Sequence, residues 1–205
     1  MSPFLKGLLI GLSIAAPVGP IGVLCIRRTL MHGRLAGFIS GLGAATADAA
    51  YGMLAAAGLT ALATFLLGQR QWLQLFGGAF LIYLGIATIR SRPSAASTPS
   101  PSSPRLAAAY LSTLVLTLAN PMTILSFIGI FAGLGLGTEQ AAGSAASLVT
   151  GVFVGSTAWW LILSTTASWF GRRLTMGGLH RVNYFAGAII LSFGLWHLSL
   201  LLLAA

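Results

Sequence analysis

Long apolar stretches separated by charged residues run through the whole chain. Six stretches carry no charge apart from Asp48 in the second, and they cover residues 7–26, 35–69, 71–89, 106–138, 140–171 and 182–205. A helix of about 20 apolar residues crosses the hydrocarbon core of a bilayer. Each stretch is long enough for one crossing. The pattern therefore predicts six transmembrane helices, at about 4–26, 36–66, 72–90, 107–136, 143–168 and 184–204.

The composition supports a membrane protein. Of the 205 residues, 57% are apolar and 6% are charged, whereas roughly a quarter are charged in a soluble domain. A water-soluble enzyme, a disordered protein and a fibrous protein are excluded. The net charge of +9 would suggest nucleic acid as a partner of a soluble protein. Here the basic residues lie between apolar stretches, so we attribute them to membrane topology and expect no nucleic-acid partner.

The basic residues also predict the orientation in the membrane. Nine follow helices 1, 3 and 5: Arg27, Arg28, Arg34, Arg90, Arg92, Arg105, Arg172, Arg173 and Arg181. The opposite side has only Lys6 and Arg70. Because Lys-rich and Arg-rich loops stay in the cytoplasm, we expect both termini on the periplasmic side of a bacterial inner membrane. His32 and His180 are then expected in solvated cytoplasmic loops.

A Pro/Ser-rich segment at 91–105 predicts a cytoplasmic linker between two three-helix units, 1–90 and 106–205. Since three is odd, homologous units would lie in opposite orientations, as in the inverted repeats of many secondary transporters. Helix 1 is interrupted by Ala16-Pro17-Val18-Gly19-Pro20 and helix 4 by Ala119-Asn120-Pro121. The predicted fold is an all-α integral membrane protein with six helices in two inverted repeats, of which helices 1 and 4 are broken.

The two proline interruptions predict a binding site. Proline removes a backbone donor and clashes with the preceding turn, and such breaks persist in a membrane where protein or a wet cavity satisfies the freed groups. A helix that restarts there points free N–H groups and its positive dipole end at the cavity, which suits an α-carboxylate. The alternatives are a simple kink and, for the asparagine, a cap on the restarted helix. The substrate-binding candidates are Pro17, Gly19, Pro20, Asn120 and Pro121.

Asp48 is the only ionisable residue well inside any predicted span. It lies about 14 residues into helix 2, which is roughly 20 Å from the cytoplasmic end. A carboxylate at this depth costs a few kcal/mol, so a functional role is expected. It could bind a substrate amine or carry a coupling proton, and a structural hydrogen-bond acceptor is the alternative. Tyr51, one turn later on the same face, is a candidate for lining the same cavity, with packing as the alternative.

Glycines spaced four residues apart predict close packing of helices, which we expect within one chain. These are Gly7/Gly11, Gly33/Gly37/Gly41, Gly129/Gly133/Gly137 and Gly151/Gly155. The single cysteine and three scattered histidines provide no metal-ligand spacing. No catalytic triad can be assembled around one buried acid. We therefore expect no metal, no cofactor and no enzymatic activity.

Several of these segments resemble the LysE/RhtB family of bacterial amino-acid exporters. Residues 11–52, with the interrupted helix 1 and Asp48, look like the first half of that family. The stretch Gly77–Arg90 is similar to its third helix, and Leu118–Thr123 resembles its fourth-helix Asn-Pro motif. The family's Pro-Gly-Pro motif is one residue longer here. The resemblance covers nearly the whole chain except the linker.

The resemblance implies a six-helix exporter of amino acids in the inner membrane, driven by the proton motive force or by exchange. Its partners would be an amino acid, protons and the lipid bilayer, and a homodimer is left open. The alternatives are a transporter of another small solute, an ion channel, or a membrane assembly protein without transport.

Overall fold

In the part of the chain that it describes, the computed structural model is helical. It describes residues 1–17, 19–56, 68–91, 103–120, 123, 126–127, 142–171 and 173–203. Within these residues lie seven long helices and no strand: α1 (Pro3–Ala15), α2 (Pro20–His32), α3 (Arg34–Ala56), α4 (Arg70–Arg90), α5 (Ser103–Leu118), α6 (Ala142–Gly171) and α7 (Met176–Leu203).

The predicted helix 1 consists of two helices. The axes of α1 and α2 differ by 81°. The second helix begins at Pro20, with Gly19 as its extended N-cap residue. Proline is well tolerated in a first turn because its missing N–H would have no helical acceptor there. The predicted break in helix 1 is confirmed.

The predicted loop after helix 1 is reduced to one residue. The second helix continues to His32 and α3 begins at Arg34. Gly33 between them has a φ of 87°, a conformation that glycine adopts without strain. The expectation that Arg27 and Arg28 lie in a loop is therefore wrong. Both are helical and half-buried, because oxygen atoms of neighbouring helices accept hydrogen bonds from their guanidinium groups.

Close backbone contacts hold the helices together. The extensive contacts join α1 to α6, α4 to α7, and α3 to both α5 and α6, while α2 packs mainly on α3. A Cβ atom on Gly11 would lie only 2.1 Å from the carbonyl oxygen of Val152. In the contact of α1 with α6, an added Cβ atom would clash in this way with the backbone of the other helix at Gly7, Gly11, Gly151 and Gly155. For these four residues, the prediction of packing within the chain is confirmed.

One helix of the described part is long and apolar enough to cross a bilayer without interruption, over Ser144–Gly171. The bent pair of α1 and α2 meets the same criterion if it is counted as one broken span. Gln74–Arg90 and Arg105–Leu118 are shorter apolar helices. The predicted helices 2 and 4 run into residues 57–67 and 128–141, which lie outside the described residues. The number of six spans therefore stays a prediction.

Candidate functional site

A small cavity of about 80 Å³ lies beside the two interrupted segments. Each water molecule needs about 10–15 Å³, so several waters or the polar end of a small solute would fit. The cavity is lined by both interruptions, by the adjoining ends of α1 and α2, and by α3, α5 and α6. The lining residues are Ile14, Ala15, Pro17, Gly19, Pro20, Ile21, Gly22, Ala44, Asp48, Thr117, Asn120, Thr123 and Trp160. The predicted site residues Pro17, Gly19, Pro20, Asn120 and Asp48 are thus brought together. Pro121 lies outside the described residues.

The first interruption presents the start of α2 to this cavity. The first hydrogen bond of this helix runs from the N–H of Val23 to the carbonyl oxygen of Gly19, at 3.0 Å. The N–H groups of Ile21 and Gly22 precede that bond and have no acceptor within the helix. No side chain caps this end. Two donors without an acceptor inside the helix, and the positive end of the helix dipole, therefore belong to residues that line the cavity.

The second interruption lies directly after α5. Asn120 donates its N–H to the carbonyl oxygen of Thr117 at 3.2 Å, and its own carbonyl accepts from the N–H of Thr123 at 3.1 Å. Thr123, Ser126 and Phe127 have helical geometry. Asn120 is thus the junction between the end of α5 and helical backbone beyond it, as Gly19 is the junction that precedes α2.

Asp48 lies at the end of a chain of two hydrogen bonds. Its side chain is 3% exposed. The hydroxyl of Ser156 on α6 donates to its Oδ2 at 2.7 Å, and the Nε1–H of Trp160 donates to that hydroxyl oxygen at 3.2 Å. Among the described residues, Ser156 is the only side chain with a hydrogen bond to this carboxyl group. A carboxylate accepts up to about four hydrogen bonds, and this one lines the cavity, so it can accept hydrogen bonds from the contents of the cavity.

Tyr51 supports the second interruption. Its hydroxyl donates to the backbone carbonyl of Leu118, the last residue of α5. Carbonyl groups at a helix C-terminus have no helical donor, so this bond satisfies one of them and joins α3 to the interruption. Tyr51 is not among the cavity lining, and its direct contact with a substrate stays a prediction.

Neither Ser156 nor Trp160 was among the site residues predicted from the sequence. Nothing near Ser156 distinguishes it from the other serines of an apolar helix. The available signal is its position 108 residues after Asp48, close to the 104 residues that separate Pro17 from Pro121. If corresponding residues of the two halves are separated by a similar number of residues, Asp48 and Ser156 occupy corresponding positions.

No cluster of three or more His, Cys, Asp or Glu side chains that could hold a metal ion occurs in the described ranges. The cavity has one carboxyl group, hydroxyl groups, an amide and free backbone donors. This arrangement can bind a small polar solute by hydrogen bonds and charge, and it offers no pair of groups for acid–base or nucleophilic chemistry.

Comparisons with known proteins identify the family. The model of the LysE type translocator family matches residues 12–200. The chain is 31% identical over 199 residues to "Putative amino acid efflux protein YcgF" of Bacillus subtilis (strain 168), a match that covers 96% of this chain and 95% of the relative. It is also 31% identical over 173 residues to "Uncharacterized membrane protein YahN" of Escherichia coli (strain K12), covering 83% of this chain and 77% of that protein. No solved structure matches.

The family match includes the first interruption, Asp48 and Asn120. It confirms the resemblance found in the sequence. Together with the two relatives it means that this chain is a membrane transporter and not an enzyme. The chain belongs to the LysE type translocator family.

Proposed function

We propose that this transporter exports amino acids from the bacterial cytoplasm across the inner membrane, and that proton entry drives the export. The observation that carries the proposal is the cavity in which an uncapped helix start and the buried Asp48 occur together. The name of the Bacillus subtilis relative, an amino acid efflux protein, agrees with this substrate class.

The two groups of the cavity complement the backbone of an amino acid. The N–H groups of Ile21 and Gly22, at the positive end of α2, suit an α-carboxylate. The carboxylate of Asp48 suits an α-ammonium group or a cationic side chain. A volume of about 80 Å³ admits this polar end in the observed arrangement, and a larger side chain would require the surrounding helices to move.

Asp48 also suits proton coupling, because no other ionisable residue lines the cavity in the described part. Moving one positive charge outward against an inside-negative potential costs about 2.3 kcal/mol per 100 mV. Inward movement of one proton makes the export of a cationic amino acid electroneutral. One carboxyl group could then serve the substrate and the proton in turn.

Inverted repeats would provide the alternating access. In two such repeats, α1 of the first half corresponds to α5 of the second, and α3 corresponds to α6. The contact of α1 with α6 therefore corresponds to the contact of α5 with α3, and both contacts are extensive. Asp48 meets Ser156, which lies 108 residues later. In the contact of α4 with α7, Gly78 meets Gly194 and Gly85 meets Gly187. Gly187 lies 109 residues after Gly78, and Gly194 lies 109 residues after Gly85. These contacts support two units related by a two-fold axis, which could rock against each other.

Efflux from living cells tests the proposed substrate class. Cells that express the protein, and cells with an empty vector, are preloaded by dipeptide feeding, and every amino acid in the medium is quantified over time. We expect selective, saturable release of one or a few amino acids from the expressing cells. Equal release from both cultures, with the protein present in the membrane, would contradict amino-acid export. A current without substrate dependence would indicate an ion channel.

A further inference from the structure

A second and larger cavity, of about 410 Å³, lies at the other end of α2. The fourth helix packs mainly on α7 and α5 mainly on α3, and at this end of α2 a gap lies between α4 and α5. The cavity occupies this gap, with the C-terminal half of α2 as its inner wall. It shares no lining residue with the cavity around Asp48.

One end of this basic cavity carries only positive charge. Arg27, Arg28, His32 and Arg105 line it, and no Asp or Glu does. Arg28 donates hydrogen bonds to the hydroxyls of Ser40 and Ser112, at 3.0 and 2.7 Å. These partners are neutral, so they fix the guanidinium group without cancelling its charge.

His32 adds an imidazole group to the guanidinium groups of Arg27, Arg28 and Arg105 at this end. The basic end of the cavity therefore has a positive potential that no protein group in the described part neutralises.

The other walls are apolar and open towards the outer face of the protein. Phe80 and Leu84 line them from α4 and are half-buried. Tyr83 beside them is 64% exposed, and Ala108 lines the wall from α5 and is also exposed. A small free anion would use the arginines alone. An amphiphile with an anionic head and an apolar tail would use both parts of the cavity.

We propose that this cavity binds an anionic phospholipid of the cytoplasmic leaflet. Its phosphate would lie between Arg105 and the pair Arg27 and Arg28, and its acyl chains would lie against Phe80 and Tyr83. Arginine donors suit phosphate oxygens, and basic pockets between membrane helices bind anionic headgroups. The assignment to the cytoplasmic leaflet rests on the proposed topology, and the binding itself does not depend on amino-acid export.

Such a lipid would join the two halves of the chain. Arg27 and Arg28 belong to the first predicted repeat and Arg105 directly precedes the second. A phosphate held between them would stabilise one arrangement of the repeats. Anionic lipid would then favour one conformation of the transporter.

Binding to the purified full-length protein in detergent tests the proposal without any transport step. Thermal unfolding and native mass spectrometry would compare phosphatidylglycerol, phosphatidylcholine and glycerol 3-phosphate. We expect phosphatidylglycerol alone to raise the unfolding temperature and to stay bound in the gas phase. Arg105→Gln should weaken its binding about fivefold, from the loss of one basic residue near the headgroup. Ala108→Phe should weaken it by filling the apolar part of the cavity.

Arg181→Gln is the matched control, because Arg181 is an exposed arginine of α7 that does not line the cavity. It should leave phosphatidylglycerol binding unchanged. Three results would overturn the proposal: equal effects of phosphatidylcholine and phosphatidylglycerol, an equal effect of glycerol 3-phosphate, which would indicate a site for free anions, or equal weakening by Arg181→Gln and Arg105→Gln. Because the measurement is one of binding, its failure is distinct from a failure of the export proposal.

Discussion

The two ends of α2 differ in charge. The helix is 13 residues and so about 20 Å long. Its first turn borders a cavity with one carboxyl group and no basic residue in the described lining, and its last two turns border a cavity with four basic residues and no acid. No ion pair between Asp48 and an arginine occurs among the described residues.

The hydrogen bonds of Asp48 and Arg28 indicate what each side chain does. Arg28 has three oxygen partners in the protein, namely the hydroxyls of Ser40 and Ser112 and the backbone carbonyl of Ala109. Within the described residues Asp48 has one, the hydroxyl of Ser156, and it lines the cavity. We infer that Arg28 mainly holds helices together, whereas Asp48 is placed to contact a ligand.

The largest expected effect comes from a substitution in the cavity around Asp48. Asp48→Asn removes the charge with little change in shape, so we expect efflux from dipeptide-loaded cells to fall at least about tenfold, which corresponds to about 1.4 kcal/mol. The unfolding temperature in detergent should stay within a few degrees, since Asn can still accept from Ser156. Glu139→Gln is the matched control, because it alters the only other carboxylate of the chain and is predicted in a loop. Equal loss in both variants would remove the special role of Asp48.

At the basic cavity we expect the opposite result, in which a substitution lowers the stability of the protein and leaves transport nearly unchanged. Arg28→Lys retains the charge but cannot reproduce the fixed fork of donors, so it loses some of the hydrogen bonds to Ser40, Ser112 and Ala109. We expect a loss of about 2 kcal/mol in the free energy of unfolding, with near-normal efflux per folded molecule. Chemical denaturation and efflux normalised to membrane content measure the two quantities. A stable variant without efflux would reverse the assigned roles.

The third prediction concerns the close packing of α1 against α6, near the cavity around Asp48. Gly11→Ala would place a Cβ atom 2.1 Å from the carbonyl oxygen of Val152, whereas Gly52→Ala would find its nearest neighbour at 3.5 Å. Overpacking of this kind costs about 1–3 kcal/mol. We therefore expect Gly11→Ala to lower the unfolding temperature and Gly52→Ala to leave it nearly unchanged. Similar stability of the two variants would show that α1 and α6 do not pack this closely.

The smallest expected effect comes from the partner of Asp48. Ser156→Ala removes the donor to the carboxyl group and the acceptor of Trp160, and we expect the KM for export to rise about threefold to tenfold, since one hydrogen bond contributes about 1 kcal/mol. Ser164→Ala is the control, because Ser164 is also buried on α6 but donates only to the backbone of Leu161. If Ser164→Ala raised the KM by the same factor, the effect would belong to the helix rather than to the carboxyl group.

Features that depend on local chemistry could be predicted from the sequence. Proline and glycine act on the backbone next to them, so the interruption at 16–20 was predictable. An isolated carboxyl group within an apolar stretch indicated the burial of Asp48. The spacing of Gly7 and Gly11 indicated a close helix contact in the same way.

Features that depend on distant parts of the chain could not be predicted. Charge suggested that Arg28 ends a span and lies in a loop. Its actual place in a helix depends on oxygen atoms from α3 and α5, which only the fold brings near. Ser156 contacts Asp48 because α3 and α6 cross at these residues. The sequence around Ser156 or around Asp48 gives no indication that the two residues are in contact.

Proton movement in proteoliposomes tests the central role of Asp48 most directly. Vesicles with the purified protein and a trapped pH indicator are loaded with the exported amino acid and then diluted. We expect the interior to acidify in proportion to amino-acid efflux with the wild-type protein, and neither signal with Asp48→Asn. Efflux at the wild-type rate through Asp48→Asn, at every external pH, would contradict the account.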